Sequence, residues 1–293
     1  MRSNCGLKKI GLRLLFTGPT LFIFFSVVIL PFLYGIYLTF TDWNGISAQH
    51  QFIGLKNYLA VFLDVHFWTS LSLTMKYVIV SVVLINLISF VLAYLLTVGL
   101  KGENLYRAGF FTPNLIGGIV LGFLWQFIFS NVLVYVGKGL GIEVLAKSWL
   151  SDPSSAFWAL VWVTVWQYSG YMMVIYIGGL LNVPKDLLEA ASIDGATGFV
   201  RLTRIILPLI VPSMIVSVFL SLQRSFMVYD LNLSLTGGGP YKSTEMVSMF
   251  VYRKAFLSQQ YGVGQAEAFV LFVVVALITL TQVYFSKKRE VEA

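Results

Sequence analysis

Six long apolar runs dominate this chain, at roughly 14–40, 71–100, 108–136, 156–183, 205–235 and 268–286. Each is near or above the about 20 residues that a helix needs to cross the hydrocarbon core of a bilayer. Backbone polar groups in lipid have no water to bond with, so such runs cross as helices that satisfy their own N–H and C=O groups. Composition agrees: 58% of the 293 residues are hydrophobic and 11% are charged, against about 25% charged in a soluble domain. So few charges cannot cover a water-facing surface, and the surplus apolar surface must face lipid or other subunits. The expected fold is an all-α membrane protein, one transmembrane domain over 1–293 with six transmembrane helices. The third run is the least regular, because Asn114, Gly117, Gly118, Gln126 and Asn131 interrupt it. Gly178, Gly179, Ser213, Ser217 and Ser221 lie within other runs, where small residues let helices approach closely.

Basic residues set the expected orientation. The termini, the loop near 101–107 and the loop 184–204 together hold twelve Lys and Arg, and the opposite loops hold six. The majority side is expected to be the cytoplasm, which puts both termini inside a multi-pass cell-membrane protein. The formal charge of +7 is then a topology signal, and no basic patch with interleaved aromatics is left to suggest nucleic-acid binding. The first run resembles the apolar core of a signal peptide, but such a core spans roughly 7–15 residues. This run is much longer, so a retained first helix is expected. The single cysteine, Cys5, excludes an internal disulfide. His50 and His66 lack a nearby cysteine or acidic cluster, so no metal site is expected. No motif of nucleophilic or zinc catalysis appears, and no catalytic residue is assigned.

The loop 184–204 carries the most information. Pro184 suits a first helical turn, and Asp186 and Glu189 lie where the helix dipole favours acids. Leu187, Ala190 and Ala191 give a short apolar stripe, and Gly195 can take the left-handed conformation that ends a helix. A second helix is predicted from near Ala196, with Phe199, Leu202 and Ile206 on one face. Two uses fit this helix–turn–helix: insertion into the groove of another protein, or an amphipathic helix lying on the membrane surface.

The stretch Glu189-Ala-Ala-Ser-Ile-Asp-Gly-Ala196, with Pro208 nineteen residues after Glu189, resembles the EAA loop of binding-protein-dependent ABC importer permeases. Leu235-Thr-Gly-Gly-Gly-Pro-Tyr-Lys-Ser-Thr244 resembles an exoplasmic element of the first permease in the maltose, multiple-sugar and glycerol-phosphate branch. Phe52-Ile-Gly-Leu-Lys-Asn-Tyr58, Pro113, Trp125 and Gly170-Tyr-Met-Met173 agree, so the resemblance covers nearly the whole chain. It implies a type I ABC importer permease with six spans, in which Glu189, Ala190, Ala191, Asp194 and Gly195 belong to a cytoplasmic coupling helix docked on an ATPase. The implied partners are a second homologous permease, two cytoplasmic ATPase subunits and an extracytoplasmic solute-binding protein. The Gly-rich stretch is not a phosphate loop, because Tyr241 stands where a glycine must precede Lys-Ser/Thr. ATP and Mg are therefore expected on the partner ATPase, and no cofactor is expected on this chain.

Polar and aromatic residues cluster in the fourth run (Thr164, Trp166, Gln167, Tyr168, Ser169, Tyr171) and the fifth (Ser221, Gln223, Arg224, Ser225). Polar residues within a bilayer usually face a cavity or a partner, and aromatic faces with hydrogen-bonding groups suit a sugar. Alignment with the maltose-permease pattern implies solute contact at Thr164, Gln167, Tyr168, Tyr171, Ser221, Arg224 and Ser225. Side-chain identities differ from that pattern at most of these positions. An intramembrane arginine costs about 2.5–3.5 kcal/mol on insertion scales. Arg224 can repay this by binding a carboxylate or phosphate of the solute, or by pairing with an acid such as Asp230 or with the partner permease. The function implied is half of the pathway of an ATP-driven importer for a sugar-like solute, an oligosaccharide or an acidic sugar. The rival is a stand-alone channel or ion-coupled carrier, which calls for paired acids within the spans. Asp230 and Glu267 lie near span ends instead.

Overall fold

A computed structural model describes residues 15–47 and 49–287. Cys5, the basic residues Arg2, Lys8, Lys9, Arg13, Lys288 and Arg289, and the first residue of the first run, Leu14, lie outside the described residues. Among the described residues the chain is helical or looped, with one isolated antiparallel bridge between Thr41 and Phe52. Five helices are long and apolar enough to span a membrane, or six if one bent pair counts as a span. They are α1 (Leu15–Leu38), α3 (Val65–Leu96), α5 (Gly118–Leu140), α6 (Pro153–Leu181) and α12 (Tyr261–Ser286), with the bent pair α8 (Gly198–Leu209) and α9 (Val211–Phe226). Shorter helices are α2 (Lys56–Leu63), α4 (Glu103–Phe111), α7 (Lys185–Ile193), α10 (Tyr229–Leu235) and α11 (Val247–Tyr252).

Several boundaries differ from those expected, and each has a local cause. The second span starts at Val65 rather than 71 and ends at Leu96 rather than 100; beyond it Gly99 turns the chain at φ +87°. The third span starts at Gly118 rather than 108. Residues 103–111 form the separate helix α4, followed by a 3-10 turn at Thr112–Leu115 and an extended Gly117. Pro113 contributes no N–H to continue the ladder there. The expected span 205–235 is broken. Its helices α8 and α9 meet at 71° around Ile210, between Pro208 and Pro212, and α10 follows separately. The fourth span, Pro153–Leu181, is capped by Asp152, whose carboxylate accepts from the N–H groups of Ser154 and Ser155.

The described residues group into two compact units, one within Met1–Val65 and Val251–Val270 and the other within His66–Phe250 and Leu271–Ala293. The first unit arises because segments far apart in sequence close on one another. The Asn57 amide donates to the carbonyls of Thr39 and Thr41, both at 2.8 Å. The Gly262 N–H donates to the Trp43 carbonyl at 3.1 Å, and Gly35 leaves room for the Gln265 side chain. Lys254 Nζ pairs with Asp64 Oδ2 at 2.9 Å.

The second unit packs α3, α5, α6, α9 and α10 around Tyr77, Ile85, Leu121, Leu160, Met172 and Leu235. A smaller cluster of Ala93, Met173, Tyr176, Ile206 and Ile210 lies among α3, α6 and the α8–α9 bend. Hydrogen bonds between side chains cross this apolar packing. Asn86 of α3 donates to Ser221 Oγ at 2.9 Å and accepts from Ser217 Oγ at 2.7 Å and from the Tyr176 hydroxyl at 2.9 Å. Ser89 Oγ donates to the Ser169 carbonyl at 2.8 Å. In lipid, packing and such bonds hold helices together in place of the hydrophobic effect.

Candidate solute cavity and coupling helix

A cavity of about 580 Å³ opens within the second unit. One wall is α6, where Thr164, Gln167, Tyr168 and Tyr171 recur at i, i+3, i+4 and i+7 and so share one helix face. The opposite wall is α9, where Leu220, Gln223, Arg224 and Met227 repeat the same spacing. The break before α5 supplies Asn114, Ile116 and Gly117, and α10 supplies Asp230. Three of the interruptions that made the third run irregular, Asn114, Gly117 and Gly118, thus become part of the cavity wall.

Five of the seven expected solute contacts line this space: Thr164, Gln167, Tyr168, Tyr171 and Arg224. They differ in what remains free. The Thr164 hydroxyl is bonded to the Tyr77 hydroxyl at 2.6 Å, and Thr164 is only 1% exposed. Gln167 Nε2 donates to the Ile116 carbonyl at 3.1 Å, tying the broken segment to α6. The Arg224 guanidinium carbon lies 5.5 Å from the centre of the Tyr168 ring, within cation–π range. Tyr171 packs on Phe111 with ring centres 6.2 Å apart. Among the described residues neither Arg224 nor Asp230 has an ion-pair partner, so the Arg224–Asp230 pair considered from sequence does not form.

Ser221 and Ser225 lie apart from the other five. Both are fully buried and neither lines the cavity. With Ser217 they repeat at i, i+4 and i+8, a strip of α9 that runs directly beside Arg224. Ser217 and Ser221 bond to Asn86, and the Ser225 hydroxyl has no partner. Their small size serves close packing. Asn114, Gly117, Asp230 and Gln223 line the wall without being among the expected contacts. Gln223 adjoins Arg224 on one helical face, a spacing readable in the sequence, whereas the first three depend on how the helix breaks fold back.

The loop 184–204 forms as expected in outline. Pro184 precedes α7, and Gly195 ends it at φ +74°. The Ala196 N–H bonds the Ala191 carbonyl at 2.9 Å, the six-to-one bond of a Schellman cap. Helix α8 starts at Gly198 after an extended Thr197, two residues later than expected. The expected stripe Leu187, Ala190 and Ala191 is split. Ala191 is buried and Leu188 packs against the inner cluster, while Leu187 and Ala190 face outward. Glu189, Asp194 and Gly195 are exposed beside Ile193, which is 87% exposed.

Comparison with known proteins fits this geometry. Residues 85–291, which include the cavity wall and the loop, match the family described as binding-protein-dependent transport system inner membrane component. The chain is 45% identical to a probable starch degradation products transport system permease of Thermoanaerobacterium thermosulfurigenes, covering 95% of this chain and 94% of that one. It is 31% identical to a multiple sugar-binding transport system permease of Streptococcus mutans, covering 89% and 90%. A subunit of a bacterial alginate ABC transporter, solved with its alginate-bound periplasmic protein, superposes with a TM-score of 0.85 at 20% identity over 98% of both chains. The fold is that of a type I ABC importer permease. A broken-helix cavity, the EAA loop and this breadth of similarity place the chain in the family of inner membrane components of binding-protein-dependent transport systems.

Proposed function

We propose that this permease carries a sugar or sugar-like solute, an oligosaccharide or an acidic sugar, through the cavity between α6 and α9. The observation that supports this most is the cavity's mix of groups: two tyrosine rings, an amide at Gln223, a carboxylate at Asp230 and an arginine without an acid partner. Aromatic faces pack on the C–H faces of a sugar ring while the polar groups bond its hydroxyls. Arg224 also offers a two-pronged donor for a carboxylate or phosphate on an acidic solute. Relatives named for starch degradation products and for multiple sugars support a sugar over another solute class.

The chain supplies half of the pathway in this reading, and a second homologous permease supplies the rest. An extracytoplasmic binding protein delivers solute, and two cytoplasmic ATPases that bind ATP and Mg drive the cycle. Both termini are cytoplasmic. Helix α7 docks on one ATPase through the outward surface of Leu187, Ala190 and Ile193, flanked by Glu189 and Asp194, with Gly195 ending the helix and Ala191 holding it from within. Motion of α7 passes along the chain through α8 and the 71° bend into α9, which carries Arg224. Alternating access follows if that motion changes which side of the membrane the cavity meets.

The test is solute binding and uptake by the reconstituted complex, with neutral and uronic-acid oligosaccharides, for Tyr168→Ala and Arg224→Ala. Tyr168→Ala is expected to weaken affinity for every accepted sugar about tenfold, or ~1.4 kcal/mol. Arg224→Ala is expected to weaken acidic solutes more than neutral ones. Unchanged affinity and uptake in both variants would remove the cavity from the pathway.

A further inference from the structure

A second cavity, of about 310 Å³, lies at the end of the second unit nearest α7. Its apolar wall comes from the last turns of two spans and from the broken pair: Tyr94 and Val98 beside the end of α3, Leu180 and Leu181 at the end of α6, and Ile206 of α8. Two cations, Lys185 and Arg201, line the same space. Arg201 Nε is buried without a hydrogen-bond partner, and among the described residues neither cation has an ion-pair partner. The acids of the neighbouring helix, Asp186, Glu189 and Asp194, are exposed and do not line the cavity.

A buried guanidinium nitrogen without an acceptor is costly, so an anion is the missing component. We propose that this cavity holds the headgroup of one anionic membrane phospholipid, with Arg201 and Lys185 on its phosphate and an acyl chain along the apolar wall. The location favours a lipid. The walls are span ends, where headgroups lie, and basic pockets between transmembrane helices are typical anionic-lipid sites. Arginine matches phosphate through two parallel N–H bonds, and lysine adds a point charge. A free anion would leave the apolar wall unused, and an acidic side chain of a partner subunit would have to bring an apolar companion. Lys185 and Leu188 belong to α7, so the bound headgroup would also fix the first turn of the proposed coupling helix. This site depends only on the spans crossing a bilayer, and its loss would leave the sugar-permease reading untouched.

Native mass spectrometry tests it on the full-length permease, with whatever subunits co-purify, in nanodiscs containing either phosphatidylglycerol or phosphatidylcholine alone. One phosphatidylglycerol is expected to stay bound per chain, with no phosphatidylcholine retained in its place. Arg201→Met and Lys185→Met are each expected to weaken retention by about fivefold. Lys185 sits exposed at the mouth, so its variant stays readable even if Arg201→Met folds poorly. Retention unchanged both in Lys185→Met and in a folded Arg201→Met would overturn the proposal. Displacement of the lipid by inorganic phosphate alone would replace it with a free-anion site. Crosslinking of position 185 to an acidic residue of a partner subunit, with no lipid retained, would replace it with a protein contact.

Discussion

Asn86 joins three spans through one side chain: α3 carries it, α6 reaches it through Tyr176, and α9 through Ser217 and Ser221. Replacing it with leucine would leave the Tyr176 and Ser217 hydroxyls without that partner, at a cost of about 1–3 kcal/mol. Thermal unfolding of purified Asn86→Leu in detergent should show the loss. Ser225→Ala should change the midpoint little, because its hydroxyl is buried without a partner. A large drop for Ser225→Ala would mean that it bonds something in the assembly. At this scale the sequence was legible in part. Residue type alone does not separate a solute contact from an interhelical bond, since serine, threonine and asparagine serve both. Spacing separates them only in part: 164, 167, 168 and 171 share one face of α6, but on α9 Arg224 lies seven residues from Ser217 and three from Ser221, so the fold and not the spacing divides cavity from packing residues there. Thr164 remains ambiguous by spacing, because its bond to Tyr77 depends on how α3 lies against α6.

Elements meet closely where glycine permits it. A side chain at Gly170 would overlap the Phe110 carbonyl and the Phe111 N–H of α4. Gly170→Val is therefore expected to separate α4 from α6, costing about 1–3 kcal/mol as overpacking and lowering the yield of monodisperse protein on size-exclusion chromatography. At the end of α7, Gly195 sits at φ +74°, where a branched side chain is strained by about 1–2 kcal/mol. Gly195→Val should uncouple ATP hydrolysis from uptake while leaving solute affinity at the cavity unchanged. Ile193→Asp, on the outward face of α7, should reduce co-purification of ATPase subunits. Retained ATPase in Ile193→Asp would move the docking surface elsewhere. The existence of these helices was readable from their apolar runs, and the loop from its prolines, acids and glycine. The breaks were not. Pro208 and Pro212 lie inside an apolar run that length alone reads as one span, and only the fold shows that the chain turns by 71° between them.

Much of the molecule's surface is apolar, including Trp158, Trp162 and Trp166 along one side of α6, each 40–45% exposed. That surface suits lipid or a second permease, as low charge content required from the outset. Composition and apolar period thus made the membrane class legible, and the EAA loop made the family legible. The wall contributed by Asn114, Gly117 and Asp230 was hidden because it is assembled from segments far apart in sequence. The most direct test of the whole is transport itself. The permease, co-purified with its native partners and reconstituted in liposomes, would be supplied with labelled maltooligosaccharide and the binding protein. Uptake that requires ATP, the binding protein and an intact Tyr168 is expected. Uptake by this chain alone, driven by an ion gradient and indifferent to ATP, would contradict the importer reading.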